Sequence, residues 1–257
     1  MNISIQVYFP FLKQSLFWML LLLGFGQSFA QSTQVASLNP DKHITQFSID
    51  TWDTEQGLPS KSLLFLKQTS DGYLWITSFQ GLFRFDGITF ENFNDSKGSN
   101  GLHTNVVNQL FEKEDGTLCI STSDEGLIGY KNGKFKTLGK LDYAIQSTLF
   151  DTPNHAFVGT KVHGVYELND STFTPYTKIP ALQNIRVSDI MKDKEGDLWF
   201  VTEGRGVVKL DKEAKATVFT MDDGLLSNKV ATIFQDNQSK IWIGTNEGLC
   251  FFENGEI

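Results

Sequence analysis

One phrase keeps coming back along this chain: Gly-Leu, a short apolar stretch, a tight turn, then Leu-Trp-x-x-Thr and Gly-Leu again. The clearest copies run from Gly57-Leu58 through Asp71-Gly72-Tyr73-Leu74-Trp75-Ile76-Thr77 to Gly81-Leu82, and from Gly224-Leu225 through Lys240-Ile241-Trp242-Ile243-Gly244-Thr245 to Gly248-Leu249. Three weaker copies lie between them. Aligned on the tryptophan position, the copies give Trp75, Cys119, Phe157, Trp199 and Trp242, in steps of 44, 38, 42 and 43 residues. Steps of that size belong to arrays of one supersecondary unit, and among those to propeller blades.

Within each copy the apolar runs are too short for helices and suit strands of about five or six residues. The first run is 63–67, 106–111, 145–150, 187–191 or 230–235, and the second is 74–77, 118–122, 156–160, 198–202 or 241–245. Polar turns such as Asp71-Gly72, Asp115-Gly116 and Glu195-Gly196 join them, and glycine there supplies the positive φ of a tight hairpin. A third run and a ragged fourth follow, the latter carrying Phe90, Phe135, Phe173 or Phe219. Four short antiparallel strands per unit predict an all-β chain, a β-propeller of four-stranded blades with about five blades present. The ring side chains, above all Trp75, Trp199 and Trp242, are read as inter-blade filler. On that reading Trp242→Ala costs about 3–5 kcal/mol. The 257 residues, 40% apolar and with 22 glycines, suffice for such a core.

The segment Ile44–Trp52 looks like an outer strand without inner partners. Either it closes a five-bladed ring as the outer strand of the last blade, or the chain is the front part of a longer propeller, which is the preferred reading. Residues 1–30 read as a secretory signal, with an apolar run at 16–25, one preceding charge, Lys13, and small residues at Ser28 and Ala30. Residues 31–43 read as a linker and 44–257 as propeller repeats. The expected location is therefore periplasmic or secreted. Loss of Lys13 with the leader moves the formal net charge from −8 to −9, and an acidic chain without basic clusters is not expected to bind nucleic acid. Cys119 and Cys250 fall in different blades and are expected as free thiols.

Leu58-Pro59-Ser60 with Ser62-Leu63, Asp71–Thr77 and Gly81-Leu82-Phe83-Arg84-Phe85-Asp86-Gly87-Ile88-Thr89-Phe90 together resemble the two-component regulator propeller repeat, and Gly224–Phe252 is a second match. The resemblance covers about residues 44–257; the third copy, with Thr152-Pro153-Asn154 and Phe157, departs most from it. It implies the ligand-sensing, extracytoplasmic part of a two-component system, with a small molecule or polysaccharide fragment as ligand. It also implies downstream signalling domains that this chain does not contain; a homodimer in the full-length parent is an arrangement it allows.

Propeller ligands sit at the mouth of the central channel. Loops projected there carry Lys61, Gln80, Asn105, Glu125, His163, Arg186, Arg205, Asn228, Lys229 and Asn246, with Ser60, His103, Asp124, Lys161, Glu203 and Glu247 beside them. Asn105 and Asn228 recur at one repeat position and also suit a turn. The four histidines show no metal-ligand spacing, and no nucleophile elbow, phosphate loop or dinucleotide fingerprint is present. No cofactor, metal or enzymatic activity is expected. The competing readings are a propeller lyase resembling the streptogramin-inactivating enzymes, which would need His103 or His163 as its pocket histidine, and a protein-binding scaffold.

Overall fold

The computed structural model describes residues 5–7, 43, 45, 50–94, 102–104 and 106–257, and the chain divides into two compact units, Met1–Lys61 and Ser62–Ile257. In the first unit β1 (Ile5–Val7) pairs antiparallel with β2 (Asp50–Trp52). Most of the predicted leader and linker, and Ile44 with residues 46–49 of the predicted outer strand, lie outside the described residues. No helix among the described residues is long and apolar enough to cross a membrane.

The second unit is a β-propeller of five blades, each an antiparallel meander in which spatial order follows sequence order. Blade 1 holds β3 (Leu63–Gln68), β4 (Leu74–Ser78), β5 (Gly81–Phe85) and β6 (Phe90–Asn92). Blade 2 holds β7 (Val107–Glu112), β8 (Leu118–Thr122), β9 (Leu127–Lys131) and β10 (Lys134–Gly139). Blade 3 holds β11 (Ile145–Thr152), β12 (His155–Thr160), β13 (Val165–Asn169) and β14 (Thr172–Pro175). Blade 4 holds β15 (Val187–Lys192), β16 (Leu198–Thr202), β17 (Val207–Leu210) and β18 (Ala216–Phe219). Blade 5 is three-stranded, with β19 (Val230–Gln235), β20 (Ile241–Thr245) and β21 (Gly248–Phe252). The innermost strands touch in chain order, β3 to β7 to β11 to β15 to β19.

The core is divided among the gaps between blades. Trp75 and Leu82 of blade 1 meet Val107, Leu110 and Leu118 of blade 2; Cys119 and Leu127 meet Ile145 and Val158; Phe157 and Val165 meet Val187, Phe200 and Val208; Trp199, Val201 and Val207 meet Val230, Ile233 and Ile243. Ring packing joins neighbouring sheets, with Trp75 at 5.3 Å from Tyr130, Phe157 at 5.7 Å from Phe200, and Trp199 at 5.0 Å from Phe252. Cys119, which takes the tryptophan position in blade 2, is a buried free thiol whose pKa burial pushes up to about 12. Cys250 is also free and half-buried.

Trp242 departs from the expectation of full burial. It is only half-buried, and on the same face of blade 5 Phe234 is 64% and Leu249 62% exposed. The reason lies in the packing order. Trp199 is sealed by Phe252 of the sheet that follows it, and among the described residues no sheet follows blade 5 to seal Trp242 in that way. The two indoles otherwise match, for Trp199 Nε1 donates to Asp193 Oδ2 at 2.7 Å and Trp242 Nε1 to Asp236 Oδ2 at 2.8 Å.

The recurrent threonine of the sequence phrase closes the loop between the second and third strands. Thr122, Thr160, Thr202 and Thr245 each donate their hydroxyl to a glycine carbonyl, Gly126, Gly164, Gly206 and Gly248, at 2.8–2.9 Å. Gly206 has φ of 73°, and a Cβ there would run into the Phe219 carbonyl oxygen. Only glycine allows that approach.

Candidate functional site

Apolar residues three apart on an unbroken strand point to opposite faces. Yet Val107 with Leu110, Val187 with Ile190, and Val230 with Ile233 are buried in pairs within single inter-blade cores. A β-bulge reconciles the two facts. Each innermost strand slips its register by one residue against its partner, at Leu64, Asn108, Gln146, Ser188 and Ala231. A bulge bends the strand and re-aims a side chain. All five bulge residues line one cavity of about 530 Å³, within the usual size of ligand sites, roughly 300–1,000 Å³. The chemistry around it is uneven: Asn108, Gln146 and Ser188 are polar on blades 2–4, while Leu64, with Phe65 beside it, and Ala231 are apolar on blades 1 and 5.

An innermost strand is also a sheet edge, with backbone groups left over. Polar side chains of the preceding blade take them up. Asn108 Nδ2 donates to Ile145 O at 2.6 Å and Ser147 Oγ to Val187 O at 3.3 Å, while Thr148 N donates to Gln109 Oε1 at 2.7 Å. Asp189 Oδ2 accepts from Thr232 Oγ1 at 2.9 Å and Ile233 N at 3.2 Å, joining blades 4 and 5. Burial raises the Asp189 pKa, and these donors pull the other way.

Above the bulge ring, the loops between second and third strands of blades 2–5 are tied to the residue preceding the inner strand. Ser123 N donates to Val106 O, Lys161 N to Ala144 O, Glu203 N to Arg186 O and Asn246 N to Lys229 O, all within 2.9–3.1 Å. The charges at this level gather on blades 4 and 5. Arg186 Nη1 contacts Glu203 Oε2 at 3.2 Å and Arg186 Nη2 donates to Gln146 Oε1 at 2.9 Å, while Glu203 and Lys229 are paired only through their backbones, as an isolated antiparallel β-bridge. Arg186, Glu203, Lys229 and Asn246 all line the cavity.

Of the residues singled out from sequence, the cavity thus brings together Arg186, Lys229 and Asn246, with Glu203 from the wider set. Gln80, Glu125, His163 and Arg205 occupy one position on the loops between second and third strands and are not among its lining. Their backbone N–H groups donate to Ser78, Thr122, Thr160 and Thr202 hydroxyls at 2.9–3.1 Å. His163 packs on Tyr143 with ring centroids 3.8 Å apart, and Arg205 Nη1 donates to the Ala181 and Gln183 carbonyls. Asn228 holds a turn, its Oδ1 accepting from Met221 N at 2.9 Å. Lys61 belongs to the first unit, and Asn105 lies outside the described residues. Asn108, Gln146 and Ser188 escaped sequence reasoning, although the three-residue apolar spacing around them is a signal of the bulge. Among the described residues no group of three or more His, Cys, Asp and Glu could hold a metal ion.

Residues 181–204 and 224–247 match the model of the two component regulator propeller. The second matched stretch falls within the motif read at Gly224–Phe252, whereas Leu58–Phe90 is not among the matched residues. Histidine kinase P4 of Formosa agariphila is 28% identical over 187 residues, which is 62% of this chain and 13% of the kinase. The extracellular domain of a hybrid two component system of B. thetaiotaomicron superposes with a TM-score of 0.65 at 24% identity, covering 82% of this chain and 29% of that one. Virginiamycin B lyase of Staphylococcus aureus gives a TM-score of 0.61 at 14% identity, over 82% of this chain and 72% of the lyase. These superpositions show a shared fold. The chain spans less than a third of the two signalling relatives.

Proposed function

We propose that this propeller of two-component regulator repeats is an extracytoplasmic sensor module that binds an oligosaccharide in the cavity at its axis. One observation carries the reading: each of the five innermost strands breaks its ladder at the same place, and each break turns a side chain into the same cavity. Blade symmetry brings the five bulges to one level, and there the chain sets two amides and a hydroxyl in the same cavity as Leu64 and Phe65. A pyranose ring has that duality, hydroxyls at its edge and an apolar C–H face.

Because every blade contributes a lining residue, a ligand there contacts all blades at once. It favours whichever blade arrangement offers it more contacts, by the difference in its affinities for the arrangements. Signalling domains elsewhere in a full-length protein would read that difference. The kinase relatives are what suggest such a readout.

The test is an oligosaccharide array probed with the chain, followed by calorimetry on each positive ligand. Ser188→Trp and Ala231→Trp place an indole in the cavity from two blades. Both should abolish binding while the thermal midpoint stays near that of the parent. Binding that survives both substitutions would remove the cavity from consideration.

A further inference from the structure

The two basic side chains at the cavity rim are not used symmetrically by the fold. In the position just before the inner strand, blades 2 and 3 carry Val106 and Ala144, whereas blades 4 and 5 carry Arg186 and Lys229. The terminal nitrogens of Arg186 are engaged by Glu203 and Gln146, but its Nε is buried with no partner. Lys229 lines the same cavity, and among the described residues its ammonium has no hydrogen bond or ion pair. Deeper in, Asp189 is held by Ile190 N, Thr232 Oγ1 and Ile233 N, so its carboxylate is already satisfied by the fold. The rim therefore holds donors in excess of acceptors, gathered on one side.

Glu203 is the acceptor that partly offsets them. It is exposed, sits on a loop beside Gly204 at φ of 124°, and meets Arg186 in a pair whose side chains are 41% and 46% exposed. Solvated pairs of this kind are weak and exchange readily. Two cations converging on one oxyanion at a concave, less hydrated surface hold it more strongly than one exposed carboxylate is held.

Resting on the oligosaccharide reading above, we infer that the ligand carries an oxyanion, a carboxylate or a sulfate on a hydroxyl-bearing ring, which displaces Glu203 and is shared by Arg186 and Lys229. Glu203 is then a placeholder for the acidic group. In the empty site it keeps the guanidinium partnered, and on binding it turns to solvent. Asn108, Gln146 and Ser188, on blades 2, 3 and 4, take the ring hydroxyls. The inference separates two roles that a binding measurement can resolve: the bulge ring selects a sugar, and the rim selects its charge.

The experiment uses the whole chain and a panel of uronate-bearing and sulfated oligosaccharides, each paired with its methyl-esterified or desulfated counterpart, titrated calorimetrically. At least one acidic member should bind, and its neutral counterpart should bind about tenfold more weakly or worse, the scale of one charge-assisted contact. Lys229→Gln should weaken the acidic ligand about five- to tenfold and leave neutral counterparts unchanged. Glu203→Gln, which removes the competing carboxylate at an exposed position, should tighten it. The uronate and sulfate arms decide which oxyanion is taken. Equal binding of acidic and neutral members, failure of every acidic member to bind, or affinities indifferent to both Lys229→Gln and Glu203→Gln would overturn the inference. If in those cases neutral sugars still bind and Ser188→Trp abolishes it, the cavity reading stands without its charge; if Ser188→Trp and Ala231→Trp leave binding intact, the cavity reading falls with it.

Discussion

Truncating Trp199 and Trp242 to alanine, one at a time, compares the same residue at the same repeat position in two packing environments. Trp199 has no exposed surface and is enclosed by Phe219, Phe252 and the Lys209 side chain. Removing it opens a cavity between blades 4 and 5, a loss of about 3–5 kcal/mol. It also takes the indole donor from Asp193, which is 7% exposed, and an orphaned buried acceptor adds about 1–3 kcal/mol. Trp199→Ala is therefore expected to cost at least about 4 kcal/mol. Trp242 packs on Phe251 at 5.7 Å but stays half-buried, so its truncation forfeits only part of a side-chain transfer, about 1–2 kcal/mol. Urea unfolding followed by far-ultraviolet circular dichroism measures both, as displacements of the midpoint at unchanged slope. A gap of about 2 kcal/mol or more is expected. Equal costs would refute the reasoning, because they require the Trp242 face to be covered as thoroughly as that of Trp199.

Two further outcomes follow from the loop glycines and the inter-blade carboxylate. Gly206→Ala combines a left-handed φ with a collision against the Phe219 carbonyl and should cost about 2 kcal/mol or more, whereas Gly133→Ala, at φ of 76° with open space around it, should cost about 1 kcal/mol; thermal denaturation of the pair checks this. Asp189 has its pKa raised by burial, so the folded state holds its proton more tightly than the unfolded one. Its contribution is fully present below the unfolded value near 3.8 and is lost as pH rises through the higher folded value. The difference in stability between parent and Asp189→Asn should therefore change across that acid window and flatten above it, as read from urea midpoints at stepped pH.

The blades were legible in the sequence because their signals are local. Turn residues, β-branched and aromatic runs and the forty-odd-residue spacing each act within one repeat, and the strands fall within one or two residues of the predicted runs. The recurrent Thr was visible as a pattern, but its bond to the glycine carbonyl depends on loop geometry. The placement of Arg186, Lys229 and Asn246 at the cavity rim could be projected from the sequence because loops at a propeller mouth follow from strand order. The bulge residues were missed for a physical reason. Alternation assigns faces only along an unbroken ladder, so Asn108, Gln146 and Ser188 read as ordinary strand positions. The spacing Val107-x-x-Leu110, repeated as Val187-x-x-Ile190 and Val230-x-x-Ile233, contains the correction. Trp242 was overestimated because a motif specifies what a side chain is and not what covers it.

The central claim is that the convergent bulges make the axial cavity the binding site. A crystal structure of the chain soaked with the oligosaccharide that binds most tightly tests it most directly. Density within contact of Leu64, Asn108, Gln146, Ser188 and Ala231 is the expected result. Density confined to the outer strands, or to the exposed face bearing Phe234 and Leu249, with the cavity empty, would contradict it.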